Sequence, residues 1–165
     1  MELNNKKSKK VQIFSLLLCV FVIIFDQATK WSVLAFLPQG SIINICPFLN
    51  LILTFNFGTS FGLLSPDTIM EYYMIIALSI LCIIFLIYVF IKLKNTAEQI
   101  LCSLLIGGAI GNLMDRFFHG AVVDFIDVYY NNWHWPAFNI ADGFISCSAI
   151  ALLIYNLFSS EKSKK

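Results

Sequence analysis

Apolar residues run almost unbroken from Val11 to Phe25, and the helical pattern continues through Trp31 to Leu37. A second stretch, Tyr72 to Ile91, holds 20 residues and no charge, enough for about 30 Å of helix. A third lies at about Ile100 to Phe117 and a fourth at about Pro136 to Phe158. Between the first two, residues 38–67 are broken by Pro38, Gly40, Pro47, Gly58, Gly62 and Pro66, while IINI, LNLILTF and the run around Phe61 read as strands. KLKNTAEQ (92–99) is a turn with Thr96 as helix N-cap. The pattern predicts an all-α integral membrane protein. It has four transmembrane helices and a small extracytoplasmic β-rich element between helices 1 and 2. Non-helical backbone cannot face lipid unsatisfied, so that element should pack on the helices or sit in water. Residues 1–165 form one domain, with disordered basic tails expected at 1–10 and 160–165.

Composition removes the soluble alternative. The chain is 59% hydrophobic and 13% charged, with a mean hydropathy of +0.80, too few polar residues to cover a soluble core. A cleaved secretory leader is the alternative reading of the first stretch. However, no small-x-small site follows it; Asp26 and Lys30 do, spaced i,i+4 so that they can pair. Four spans place both termini on one side. Nine of the 11 basic residues fall there and two, Lys30 and Arg116, fall opposite, which predicts N-in, C-in. The five cysteines, Cys19, Cys46, Cys82, Cys102 and Cys147, show no metal-ligand spacing, and neither metal, disulfide nor cofactor is expected. Nothing in the charge distribution calls for nucleic acid.

The chemistry is concentrated between Gly107 and Asp142. This segment holds four aspartates, four asparagines, both histidines and the only arginine. Such residues are costly at membrane depth, and their clustering marks a functional site. Gly108, Asn112 and Arg116 share one stripe of the third helix; Asn139, Asp142 and Ser146 share one of the fourth. The intervening AVVDFID alternates like a short strand and brings Asp124 to the same mouth. Two carboxylates held close together cannot both ionise cheaply, so they share a proton, as an aspartic protease requires. Asp115 beside Arg116, and Asp127, read more simply as local ion pairing or loop capping. His119 and His134 fit an aromatic loop. Trp31, Trp133, Trp135, Tyr129 and Tyr130 fit an interfacial belt, and the glycines of helix 3, with GxxxG from Gly107 to Gly111, fit helix packing.

Five blocks in order carry a resemblance: DQATK (26–30), Asn56-Phe-Gly58, GGAIGNLMDR (107–116), VVDF (122–125) and FNIAD (138–142). They resemble lipoprotein signal peptidase (signal peptidase II), from about residue 13 to 158. The resemblance implies a bacterial inner-membrane aspartic endopeptidase with four helices and a periplasmic β-cradle. It would remove signal peptides from diacylglyceryl-modified prolipoproteins by cutting before the lipidated cysteine. Asp124 and Asp142 match the catalytic pair; Asp26, Lys30, Asn56, Gly108, Asn112, Arg116 and Asn139 match residues lining the site. Thr59-Ser60 stands where alanines are more usual, and Gly143 where serine is. A monomer in contact with membrane lipid is expected.

Rival classes fare worse. A proton-coupled transporter would string its acids across the span, whereas these gather at one end. A helix-packing anchor leaves Asp124 and Asp142 unexplained, and a presenilin-type protease would need a GxGD motif.

Overall fold

The computed structural model describes residues 2–58 and 68–162. Its elements are α1 (Glu2–Phe36), β1 (Ile42–Cys46), β2 (Leu49–Asn56), α2 (Ile69–Lys92), α3 (Thr96–His119), β3 (Val122–Tyr130), β4 (Trp133–His134) and α4 (Ile140–Lys162). The four helices are each long and apolar enough to cross a membrane. Their outward faces carry large apolar side chains, such as Leu78, Leu81 and Phe85 on α2, that water would not tolerate at this density. The chain is a multi-pass membrane protein.

Helix α3 is the hub, packed against α1, α2 and α4. Its glycines allow this. A Cβ on Gly107 would lie 2.9 Å from the Cys19 carbonyl on α1, and one on Gly108 would lie 2.8 Å from the Ala141 carbonyl on α4. The GxxxG glycines, Gly107 and Gly111, therefore do pack a helix, α1, while Gly108 beside them packs α4. Asn95, not Thr96, caps α3: its side chain accepts from Ala97 N at 2.8 Å, leaving Thr96 as the first helical residue. Gly120 ends the helix at φ 73°, a left-handed turn that reverses the chain into β3. Thr68 and Glu71 form a reciprocal capping box at the start of α2.

The sheet departs from expectation. It has four antiparallel strands in the order β1-β2-β3-β4, so the connection between α3 and α4 supplies half of it. The AVVDFID segment is a strand, as its alternation predicts, but it runs on through Tyr130 for nine residues. The aromatic loop after it turns back through Asn131 at φ 53°, a conformation asparagine accepts, into β4. The tails differ too. Backbone is helical from Glu2, where disorder was expected, and α4 continues to Lys162 instead of stopping near Phe158. Lysine and glutamate are good helix formers, and extending an existing helix needs no new nucleus. The fourth helix starts at Ile140, later than Pro136, because β3 bonds to the preceding segment: Phe138 N donates to the Ile126 carbonyl at 3.1 Å. Residues 59–67, with Thr59, Ser60 and the run around Phe61, lie outside the described residues.

Candidate active site

Where the ends of α1, α3 and α4 meet β3, two groups of carboxylates lie side by side. The first is a buried knot. Lys30, fully buried, pairs with Asp26 at 2.8 Å, as the i,i+4 spacing predicts, and with Asp115 also at 2.8 Å. Gln27 donates to Asp115 at 2.8 Å and to the Gly111 carbonyl at 3.2 Å. Asp26 accepts from the Ala141 amide at 2.9 Å, so a carboxylate on α1 caps the first turn of α4. These acids thus have a cation and backbone donors, and none of them faces open space.

The second group borders a cavity of about 1080 Å³. Thr54 and Asn56 of β2, Asn112 and Arg116 of α3, Asp124 of β3, the Trp135–Phe138 segment, and Asp142, Gly143 and Ser146 of α4 line it. Asn139 joins its two carboxylates. The side-chain amide donates to Asp124 Oδ1 at 2.7 Å, while the backbone N–H donates to Asp142 Oδ2 at 3.2 Å. Asp142 N returns a bond to Asn139 Oδ1 at 2.9 Å, completing a capping box for α4. Asn56 donates to Asp124 Oδ2 at 3.1 Å, and Asn112 donates to Asp142 Oδ1 at 2.8 Å. Neither acid forms an ion pair among the described residues. Burial first, and the neighbouring Asp142 second, push the Asp124 carboxyl up from 3.8 to about 7, against the bonds from Asn56 and Asn139.

The predicted residues therefore divide. Asp124, Asp142, Asn56, Asn112 and Arg116 border the cavity together. Asn139 is fully buried behind both acids and does not line it. Asp26, Lys30 and Gly108 do not line it either. Lys30 reaches the site only through Asn112, whose Oδ1 it holds at 2.9 Å, and Gly108 lies under Ala141 and Ile145. Asp115 corrects the expectation of a local pair with Arg116: the guanidinium instead donates to the Asn112 and Gly58 carbonyls, at 3.3 and 3.2 Å. Two acids beside one buried lysine was the available signal for it. Trp135 lines the cavity and is more than a belt residue, whereas Asp127 does pair locally, with His134 at 2.9 Å. Histidine 119 packs edge-on against Trp31.

A bundle of membrane helices that ends in two carboxylates on one cavity defines a class, the membrane-embedded aspartic enzymes. Comparison with known proteins narrows it. Residues 18–158 match the family model described as "Signal peptidase (SPase) II", and the chain belongs to that family. It is 42% identical to a "Lipoprotein signal peptidase" of Polynucleobacter necessarius over 85% of this chain and 86% of the other. It is 40% identical to one of Francisella tularensis subsp. novicida over 89% and 93%. Among solved structures, a bacterial membrane enzyme determined by the in meso method at 2.3 Å superposes with a TM-score of 0.81, at 37% identity, covering 92% of each chain.

Proposed function

We propose that Asp124 and Asp142 are the catalytic pair with which this chain removes the signal peptide from diacylglyceryl-modified prolipoproteins, cutting before the lipidated cysteine. One observation carries this reading: Asn139 holds both carboxylates on one cavity, and neither forms an ion pair among the described residues. Burial and the neighbouring Asp142 push the Asp124 carboxyl up to about 7, so that the pair holds one proton between its two members. The ionised member takes a proton from water as its oxygen attacks the scissile carbonyl carbon, while the protonated member donates to the carbonyl oxygen. The tetrahedral diol collapses when one hydroxyl returns a proton to the member that donated, the other member passes the proton taken from water to the amide nitrogen, and the C–N bond breaks. Arg116 lines the cavity, its guanidinium held by the Asn112 and Gly58 carbonyls. Asn56, Asn112 and Arg116 position the peptide; Asp26, Lys30, Gly108 and Asn139 hold these groups from behind.

Asp124→Asn and Asp142→Asn keep shape and hydrogen bonding but cannot exchange the proton. Each should lower cleavage of lipidated prolipoprotein by the purified chain by at least about 10²–10⁴-fold. The double variant should be little worse than either single one, because the two act as a unit. Parental turnover in either variant would refute the assignment.

The same reading sets topology. Lys9, Lys10, Lys92 and Lys94 sit at the helix ends remote from the cavity, so the site faces the periplasm across a bacterial inner membrane, with both termini cytoplasmic. A reporter after Lys94 should read as cytoplasmic and one inserted at Asn131 as external; the opposite pattern would reject this orientation.

A further inference from the structure

Asp115 has no place in the reaction just described, yet it is one of the most heavily bonded side chains in the protein. It is fully buried and does not line the cavity, so substrate cannot touch it. Its Oδ1 accepts from Gln27 at 2.8 Å. Its Oδ2 accepts twice, from Lys30 Nζ at 2.8 Å and from the backbone N–H of Val123 at 3.0 Å. Lys30 already has Asp26 as a counter-ion at 2.8 Å, so charge neutrality does not require a second acid. Charge pairing alone leaves Asp115 unexplained.

The two partners of Oδ2 lead to different catalytic acids. Val123 precedes Asp124 in β3. Its N–H goes to Asp115 and its carbonyl accepts from Asn139 at 3.3 Å, so both of its backbone polar groups are tied to groups outside the β2–β3 ladder. Here the ladder is irregular, with a register shift between Leu51 and Thr54, and sheet pairing alone defines Asp124 less firmly. The other partner, Lys30, holds Asn112 Oδ1 at 2.9 Å, which leaves the Asn112 amide nitrogen to donate to Asp142 at 2.8 Å. An amide whose oxygen is held by an ammonium can present only its N–H₂ group on the other side.

We propose that Asp115 is a positioning residue: one carboxylate oxygen fixes Asp124 through the Val123 amide and Asp142 through Lys30 and Asn112. The proposal rests on the assignment of Asp124 and Asp142 as the catalytic pair. It separates the role of an acceptor from that of a charge. Asparagine at this position keeps an oxygen for Val123 and Lys30, and Gln27 can turn its amide to accept from the new N–H₂. Alanine removes both tethers yet leaves Lys30 paired with Asp26.

The test is steady-state cleavage of a lipidated prolipoprotein by the full-length chain in lipid, with Asp124→Asn and Asp142→Asn alongside. Asp115→Ala should lower kcat by about 10²-fold, the effect of a misplacement of about 1 Å, with KM within about twofold of the parent. Asp115→Asn should recover most of the lost kcat. Asp115→Glu keeps charge and acceptor but lengthens the tether by a methylene; it should lose kcat at constant KM. This variant decides the matter if Asp115→Ala does not accumulate as folded protein. Parental kcat in Asp115→Ala or Asp115→Glu, with both dyad variants inactive, would overturn the positioning role and leave the catalytic pair standing. Equal losses in Asp115→Ala and Asp115→Asn would also overturn it, since charge and not the tether would then matter. Active dyad variants would instead remove the reading on which it rests.

Discussion

Asp26 and Asp115 differ from Asp124 and Asp142 in what answers their charge. The first two share an ammonium within 2.8 Å and are sealed from any cavity. The second two line the cavity and, among the described residues, receive hydrogen bonds from neutral amides. A carboxylate paired with a cation and saturated by donors holds structure together. Amide donors orient a carboxylate while leaving its proton free to move, which is what acid–base work needs. The four acids are one residue type in one small region, and the partner, not the residue, decides the role.

The comparison breaks most sharply at Lys30. Lys30→Met should leave two buried carboxylates without their cation, a loss of about 3–5 kcal/mol by analogy with broken buried pairs. The variant should show a much lower Tm in detergent or fail to accumulate, while Asp124→Asn and Asp142→Asn fold normally and fail to cleave. A Lys30→Met chain with parental Tm and no activity would move Lys30 into the chemistry and erase the distinction.

Much of this arrangement was legible in the sequence. Four apolar stretches give the helices, because the bilayer requires continuous hydrocarbon-length segments. The stripe through Asn112 and Arg116 and the pair Asp124 and Asp142 were readable from helical spacing and from the cost of polar groups at depth. The Asp26–Lys30 bond follows from i,i+4 geometry alone. What could not be read depends on which neighbour a helix face meets. Asp115 adjoins Arg116 in sequence, but successive helical residues point apart, and it turns to α1, where Gln27 and Lys30 wait. The alternation of AVVDFID showed the start of β3, but its extension through Tyr130 and the return strand β4 hid behind aromatics, since Tyr129, Tyr130, Trp133 and Trp135 suit an interfacial loop as well as a strand. Lys30 and Asp26 were placed on the cavity wall because residues shared by a family's site do not announce whether they touch substrate or hold what does.

A third acid sharpens the comparison from the mild end. Asp127 lies in the sheet, accepting from Asn50 at 2.8 Å and facing His134, which is stacked on Tyr129 with ring centroids 5.2 Å apart. His134 is half open to solvent while Asp127 is buried, and Asp127 keeps the bond from Asn50 when the histidine is removed, so the loss should be small. His134→Ala should shift Tm slightly and leave cleavage within a few-fold of the parent. A loss as large as that of the dyad variants would mean that β4 carries part of the reaction.

The last expectation concerns stability and pH, and it tests the partner rule on Asp124 itself. Its carboxyl sits at about 7 in the folded chain against 3.8 ordinarily, burial being the main cause and Asp142 the next. The folded state therefore holds this proton more tightly than the unfolded state does. Below about 4 both states are protonated and the group contributes no pH dependence. Between about 4 and 7 folding takes up a proton, so stability falls as pH rises, and above 7 both states are ionised and the penalty is complete. Asn cannot titrate, so Asp124→Asn should be more stable than the parent at pH 8 and lose that advantage toward pH 4. Cleavage by the parent should decline through the same region near pH 7, as the shared proton leaves. Tm measured from pH 4 to 8 on both chains checks the first expectation, and the alkaline limb of kcat/KM checks the second. Parallel Tm curves would mean that Asp124 does not change its protonation on folding in this range, and that the dyad holds no proton to give.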